Sequence, residues 1–553
     1  MPDLPTSLRR GVPGPHRAGH RPDDSGIAMV ITVMILVVVM TLLTVVFNSG
    51  VQALPLARHA QDYQAALQAA DAGVEDYINR LDNNSSYYLI TSDPQNPALS
   101  GWTPLPGTSV NEWFRYAVDN TDTAKTGVVH LIVSGAAGQD PATGGSYAIR
   151  TINVSIRLSG FSSFLYYTDY EIVDPSLVPA RQWYYGNPYV QTPQYSYSQE
   201  CLYHSWQWNT TMNNGYGPDP TDCYPYYIYF VSSDYLNGPV FSNDEIHVCG
   251  NPSFPDGVTT AYDQSTKLDS PGSTKYGGPG AFYSGTWQDN CYVKSSPSFG
   301  GTGVQPAGAG YSPFPATNTS LQSDLGASND GGGCSYSGPI TVKFNSDGTM
   351  DVTVPRGSSA TAPSAGVKCS GTGIALPPNG LIYDANPTGC ASSGCYADVY
   401  VSGVVKGQVT VASQNDITVT ANLTDASTTG SDVIGLSATN SILLGRPSNP
   451  VYNLTIDAAM VALDHSIYLE NWNSQPVLGT LTVYGSLAQE FRGPVGSGIN
   501  GQLVDGYLKN YNWDPRLRYL QPPYFTSPVL PNWVKTGFAE CPAVAVPTAT
   551  TCS

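Results

Sequence analysis

Charge is scarce in this chain. Only 12% of its 553 residues are Asp, Glu, Lys or Arg, about half the ~25% usual in soluble domains. Basic residues are the scarcer sign, 24 Lys and Arg against 42 Asp and Glu, for a net charge of −18. That is too few to build the basic face of a nucleic-acid binder. Cysteine is missing from the first 200 residues, and all ten lie at or beyond Cys201. The sequence has no G-x-S-x-G elbow, no G-x-x-x-x-G-K-S/T loop and no H-E-x-x-H pair, so the motif-borne hydrolase, nucleotide and zinc-protease chemistries have no foothold. What is present is 41% apolar and 11% aromatic, enough to fill a sizeable core and to exclude a charge-solvated disordered chain. The length suits about three to four domains at ~150 residues each. With 56 glycines, 44 prolines and 37 tyrosines, turns and short strands are expected rather than many helices. An even cysteine count points to an oxidising compartment.

One long apolar run stands out. Ile27 to Phe47 reads IAMVITVMILVVVMTLLTVVF without a charge, long enough at ~1.5 Å per residue to cross a bilayer. Arg9, Arg10, Arg17 and Arg21 precede it, and only Arg58 follows within the next twenty residues. The positive-inside rule then puts residues 1–26 in the cytoplasm and the rest outside. A cleaved secretory signal, with Val51-Gln52-Ala53 at the cut, is the alternative, but signal apolar regions run only ~7–15 residues. Beyond the run, Leu56, Ala60, Tyr63, Leu67, Ala70, Val74, Tyr77 and Leu81 recur every three or four residues, an apolar stripe on a helix. One helix is expected over 27–82, roughly 80 Å long at ~1.5 Å per residue. Pro55 should kink it, Gly73 should cost it about 1 kcal/mol, and Asn83 and Asn84 should end it.

Ser25-Gly26-Ile27-Ala28-Met29-Val30, followed by Gln64-Ala65-Ala66-Leu67-Gln68-Ala69-Ala70-Asp71-Ala72-Gly73-Val74-Glu75, resembles the N-terminus of type IV pilins and type II secretion pseudopilins, in particular the pilus-assembly PilX-like branch. The resemblance implies cleavage by a prepilin peptidase between Gly26 and Ile27, and an assembly helix bearing Ile31, Leu56, Ala60, Tyr63, Leu67, Ala70 and Val74. Two departures exist. Asp23, Asp24 and Ser25 stand before the glycine where a basic residue is usual, and Ile31 stands where most pilins carry a glutamate. In that family the tip subunit characteristically lacks this glutamate. The implied role is a non-enzymatic minor subunit at the tip of a fibre. Its partners would be other pilin-like subunits, the peptidase and the cytoplasmic membrane, and its ectodomain would face a surface polysaccharide or a secreted protein.

The ectodomain reads as β. Phe114, Tyr116 and Val118 alternate with polar residues, as do Val129, Leu131 and Val133, and then Ile152, Val154, Ile156 and Leu158. Period two with one apolar face predicts antiparallel strands covering the helix stripe, a small head over 48–160. Residues 161–230 are Tyr-rich and read as an irregular segment. From 231 to 500, with a loop insertion at about 262–335, many three-to-six-residue strands alternate with Gly, Asn and Asp turns. They include Gln408–Ala412, Ile417–Ala421, Val433–Ser437, Ser441–Leu444, Met460–Leu463 and Leu481–Val483. Coils of a parallel β-helix are expected, with a sandwich as the alternative. Residues 501–553 read as a C-terminal cap and tail. The fold class is therefore mainly β with one long N-terminal helix. Leu236-Asn237-Gly238-Pro239-Val240, Ile456-Asp457-Ala458-Ala459, Gly485-Ser486-Leu487-Ala488-Gln489, Arg492-Gly493-Pro494 and Asp514-Pro515-Arg516-Leu517 resemble the β-helical ectodomain found behind PilX-like N-termini. That resemblance carries no catalytic residue.

Other chemistry is thin. His247 and Cys249 are the only near metal pair, and two ligands make no zinc site. Asp464-His465-Ser466 is contiguous, whereas a triad is assembled in space. Asp234, Asp244 and Glu245 are expected to project from turns, but a structural calcium would need six to eight oxygens and the sequence shows no such geometry. No cofactor is expected. An adhesin on a plain anchor, and a β-helical carbohydrate-active enzyme, remain the other readings. Among the thiols, Cys390 with Cys395, Cys541 with Cys552, Cys201 with Cys223 and Cys249 with Cys291 are candidate disulfides, though spacing does not fix connectivity.

Overall fold

The computed structural model describes residues 25–84, 86–90, 92–107, 111–177, 228–244, 246–261, 276–278, 281–283, 297–300, 307–308, 311–326, 331–389, 395–499, 502–529 and 532–549. The protein is mainly β, with one long N-terminal helix and an antiparallel sheet packed on it. The helix, α1, spans Ser25–Asn83 without a break, through Pro55. At ~1.5 Å per residue it is about 88 Å long. Within its apolar part the hydroxyls of Thr32, Thr41, Thr44 and Ser49 each donate to a carbonyl three or four residues back, at 2.7–3.0 Å. The run is therefore self-satisfied in its polar groups, as a lipid environment demands. Asn83 ends the helix and returns its amide to the Asn79 carbonyl at 2.7 Å.

The second half of α1 is covered by a five-stranded antiparallel sheet, in the order Thr103–Pro104, Glu112–Asp119, Val128–Gly138, Tyr147–Ser159, Asn532–Cys541. The alternating residues expected to face the helix do so. Ala70, Val74, Tyr77 and Leu81 bury against Phe114, Tyr116, Val129, Leu131, Val133, Ile152, Val154 and Ile156. The approach is close. A Cβ at Gly135 would overlap the Ala66 carbonyl and the Ala70 amide, and one at Gly73 would sit 2.8 Å from Val133 Cγ1. The helical propensity lost at Gly73 is the counterpart of this contact.

The fifth strand of this sheet corrects the reading of 501–553 as a cap and tail. Gln502–Trp513 is a strand of the second body, and Asn532–Cys541 returns across the whole sequence to the head. It is fixed there by Trp533, which packs in the helix–sheet core while its amide donates to Asp82 Oδ1 at 2.9 Å.

The second body is built mainly of parallel ladders, with antiparallel additions where Thr349–Thr353 pairs with Ile340–Phe344 and Gly371–Ala375, Ser359–Thr361 with Cys334–Ser337, and Gly496–Ile499 with Gln502–Trp513. In the first parallel ladder, Cys334–Ser337, Leu381–Ala385, Gln408–Ser413, Val433–Ala438, Ala459–Ala462 and the later part of Val477–Arg492 pair in succession. Tyr166–Val173, Val240–Ser242 and Val258–Thr260 follow on. Their register puts Cys334, Ile382, Val411, Leu436, Met460, Leu487, Tyr166, Val240 and Val258 in one buried row. A second ladder aligns Ile340, Val399, Ile417, Ile442 and Ile467. A third aligns Leu423, Ile456, Val483, Tyr511 and Leu236. The turns between the first and second ladders stack through side chains. Asn415 Nδ2 donates to Asp398 Oδ1 and Asn440 Nδ2 to Asp416 Oδ1, both at 2.6 Å. These are the Asn and Asp positions that mark turns in the sequence.

Two features were not foreseen. Tyr166–Val173, inside the segment read as irregular, is a strand that pairs with Val477–Arg492 on one side and, through Tyr166–Thr168, with Val240–Ser242 on the other, so the spatial order of strands is not the chain order. The outer face of the first ladder is also covered. Residues 311–326 run along it, with Phe314 stacked on Phe161 at 4.5 Å and Asn318 Nδ2 donating to the Ser413 and Ser437 carbonyls at 2.8 Å. Residues 514–529 run beside them, where Phe525 and Pro522 leave room only for hydrogen at Gly435. Parallel strands buried on both faces follow the usual rule for such sheets.

Candidate functional site: the divided helix and a buried charge cluster

The stripe expected to serve assembly is divided by the fold. Gly26 and Ile27 lie in the first turn of α1, and Ile27 and Ile31 are 64% and 52% exposed. No acidic residue stands in that first turn. Ile27–Ser49 reaches a mean hydropathy of 3.0 over its most apolar 18 residues, none of them buried, so the run is long and apolar enough to span a membrane. The side chain of Leu56 lies outside the described residues. Ala60 is exposed, and Tyr63 lies under the Arg150 guanidinium at 4.2 Å. Leu67 is half-buried, and Ala70 and Val74 are fully buried. Ala70 and Val74 therefore belong to the head core and are closed to a neighbouring subunit, which corrects their assignment as assembly residues. The stripe has one periodicity, but only its first part is left uncovered.

The thiol candidates divide likewise. Cys201, Cys223, Cys291, Cys390 and Cys552 lie outside the described residues. Cys249, Cys395 and Cys541 are disulfide-bonded, with partners outside those residues. The one bond between described cysteines is Cys334–Cys369, with a Cα separation of 5.6 Å across 35 residues. Spacing had singled out neither, because the chain turns back between them.

The polar residues marked in the sequence make no metal or triad site. Among the described residues no group of three or more His, Cys, Asp or Glu is arranged to hold a metal ion. His247 is buried, and burial depresses its pKa to about 3. His465 Nδ1 lies 2.7 Å from Asp174 Oδ2, a hydrogen bond that raises its pKa. Ser466 instead donates to the Phe491 carbonyl at 2.8 Å, so Asp464-His465-Ser466 is no triad. Glu245 lies outside the described residues. Asp234 and Asp244 do not project from turns as expected but are buried.

Burial of Asp234 reveals a cluster that the sequence hid. Lys509 Nζ donates to Asp234 Oδ2 at 2.8 Å, and Arg492 Nη1 to Glu171 Oε2 at 3.0 Å and to the Ile228 carbonyl at 2.8 Å. Arg492 lies 3.6 Å over the Phe230 ring, and Glu171 also accepts from Tyr166 and Thr168. Burial raises the Glu171 pKa and lowers that of Lys509. Asp234, Arg492 and Lys509 line a cavity of about 360 Å³, with Tyr166, Phe230, Trp472 and Tyr511 among its walls. In the sequence Arg492 stood out only within the Arg492-Gly493-Pro494 stretch of the resemblance. Its partner is 321 residues away and that of Lys509 is 275 away, separations that leave no local pattern. A second buried latch ties the chain's last third together. Arg516 donates to Asp514, to Asp425 at 2.6 Å, and to the carbonyls of Ser427, Gly430 and Asp432.

Compared with protein-family models, curated proteins and solved structures, the chain matches none.

Proposed function

We propose that this chain is a non-enzymatic, pilin-like minor subunit of a type IV pilus or type II secretion-like fibre. In this reading the apolar half of α1 sits in the cytoplasmic membrane with residues 1–26 inside, and the remainder is extracellular. The parallel ladders are read as coils of a β-helix displayed outward. The observation that carries the reading is the single helix whose first half is apolar and uncovered while its second half is the wall of a small antiparallel sheet. A plain anchor has no need of such continuity. A subunit that must leave the bilayer and pack helix against helix does. Ile31 in place of an acid removes an electrostatic link to a subunit ahead, and the bulk beyond the helix crowds a repeated shaft, so the reading is of a tip subunit.

The test is N-terminal sequencing of the mature protein. Ile27 at the N-terminus supports the proposal, and Gly26→Asp should then leave the leader attached and the protein in the membrane. Leu54 at the N-terminus means a secretory signal and ends the pilin reading. Gold labelling of C-terminal epitopes should mark fibre ends only, and decoration along the shaft would remove the tip position.

A further inference from the structure

Lys509 and Asp234 meet at the join where the strand order departs from the chain order. Lys509 lies on Gln502–Trp513, whose Tyr511 and Asn512 pair in parallel with Leu236 and Asn237, two residues beyond Asp234. The Asp234 side chain is held in place. Its Oδ2 accepts from the Val231 amide at 3.0 Å as well as from Lys509 Nζ at 2.8 Å, and its own amide donates to the Val231 carbonyl at 2.8 Å. The carboxylate is 2% exposed and the lysine 25%. Among the described residues the other lysine–carboxylate pair, Lys535 with Glu75, is 40% and 64% exposed, so water keeps that ammonium charged. The pairs buried on both sides use arginine, which does not give up its proton, and His465 with Asp174 uses an imidazole, whose nitrogen forms no stable amide.

We propose that Lys509 and Asp234 form an intramolecular amide cross-link, made by the folded chain itself. The step balances. Within the ion pair one ammonium proton passes to the carboxylate, giving a neutral amine and a carboxylic acid. That proton lands on Oδ2, the oxygen contacted by both Lys509 and the Val231 amide; the amine nitrogen attacks Asp234 Cγ, and negative charge gathers on Oδ1. A second nitrogen proton goes to the departing hydroxyl and the C–O bond breaks. One C–N bond forms, one water leaves, and no oxidation state changes. The surroundings favour each part. Burial, helped by the neighbouring Arg492 cation, outweighs the opposing pull of Asp234 and Glu171 and disfavours the ammonium form, which frees the nucleophile. Lys509 Nζ is held 2.8 Å from Asp234 Oδ2, so the two reacting groups share one site, and well-oriented groups held in this way reach effective molarities of ~10⁵ M or more. The adjoining cavity gives the water an exit. The product would fasten two strands 275 residues apart in sequence. The proposal does not depend on how the chain is anchored.

The test is peptide mapping of the full chain, purified in detergent, reduced, alkylated and digested with trypsin and chymotrypsin. The expected product is a branched peptide joining the Asp234 and Lys509 segments, lighter than the two together by one water, with no tryptic cut after Lys509. Lys509→Arg should yield only the linear peptides. Complete cleavage after Lys509 in the wild type, with both peptides linear, overturns the proposal. This readout is made on the wild type, so it does not require a variant to fold.

Discussion

In the head, one helix supplies one wall of the core and five antiparallel strands supply the other. In the second body, parallel strands stack rung on rung, and each side chain meets its counterpart one rung away. The head core is closed by surface contact between dissimilar elements, so it depends on shape: Gly73 and Gly135 face the opposing wall with no room for a methyl group. The ladders are closed by repetition, and they carry polar groups inside. Asp384, Ser413, Gln489, Thr168, Ser242 and Thr260 share one buried row two residues from the apolar one. Within that row Thr168 donates to Ser242 on the neighbouring strand at 3.0 Å, whereas Asp384 finds no partner among the described residues. The head places its buried polar groups singly rather than in rows: Ser134 pairs with Thr151 at 2.9 Å, and Asn96 donates to Tyr87 Oη and accepts from Tyr116 Oη at 2.9 and 2.8 Å.

This contrast can be broken at specific residues. The largest effect is expected from Arg516→Ala, which leaves Asp425 and Asp514 buried without their cation. Such a change costs about 3–5 kcal/mol, and the denaturation midpoint of the second body should fall while the head remains protease-resistant. Loss of the Cys334–Cys369 bond through Cys334→Ser with Cys369→Ser should cost up to about 4 kcal/mol for a loop of this size, again confined to the ladders. An equal loss of head protection would show that the two bodies unfold together. Gly135→Leu should act the other way, costing about 3 kcal/mol by overpacking the helix–sheet contact and opening α1 to proteolysis around Ala66 with the ladders intact.

The last test reads a slope rather than a single loss, and it sharpens the contrast instead. Both Asp384 oxygens lack a hydrogen-bond partner, and burial, aided by Asp398, pushes its pKa up to about 8. The folded chain thus holds a proton that the unfolded chain has already lost. Stability should therefore fall as pH rises from about 4 to about 8, by up to about 1.4 kcal/mol per pH unit from this group, and level off above. Asp384→Asn should flatten that slope in urea titrations of the full chain at pH 5, 6 and 7. An unchanged slope would assign the pH dependence to other groups.

Sequence alone determined what depends on neighbours along the chain. The apolar run, the stripe from Leu67 to Leu81 and the alternation in three head strands are local periodicities, and a helix or a pleat converts them directly into faces. The strands at Gln408–Ser413, Ile417–Asp425 and Val433–Ala438 were legible for the same reason, as were their Asn and Asp turns. Tertiary structure decided the rest. It buried Ala70 and Val74 and left Ile31 uncovered, though all three sit on apolar stretches of one helix. It inserted Tyr166–Val173 between strands hundreds of residues later in the chain and its near neighbours, returned Asn532–Cys541 to the head, and joined Cys334 to Cys369. It also brought Lys509 to Asp234 and Arg492 to Glu171. Such pairings are set by which unpaired edge, thiol or charge remains when the local elements have formed. The closing of long loops costs little more than the closing of shorter ones, so sequence distance carries almost no information about them.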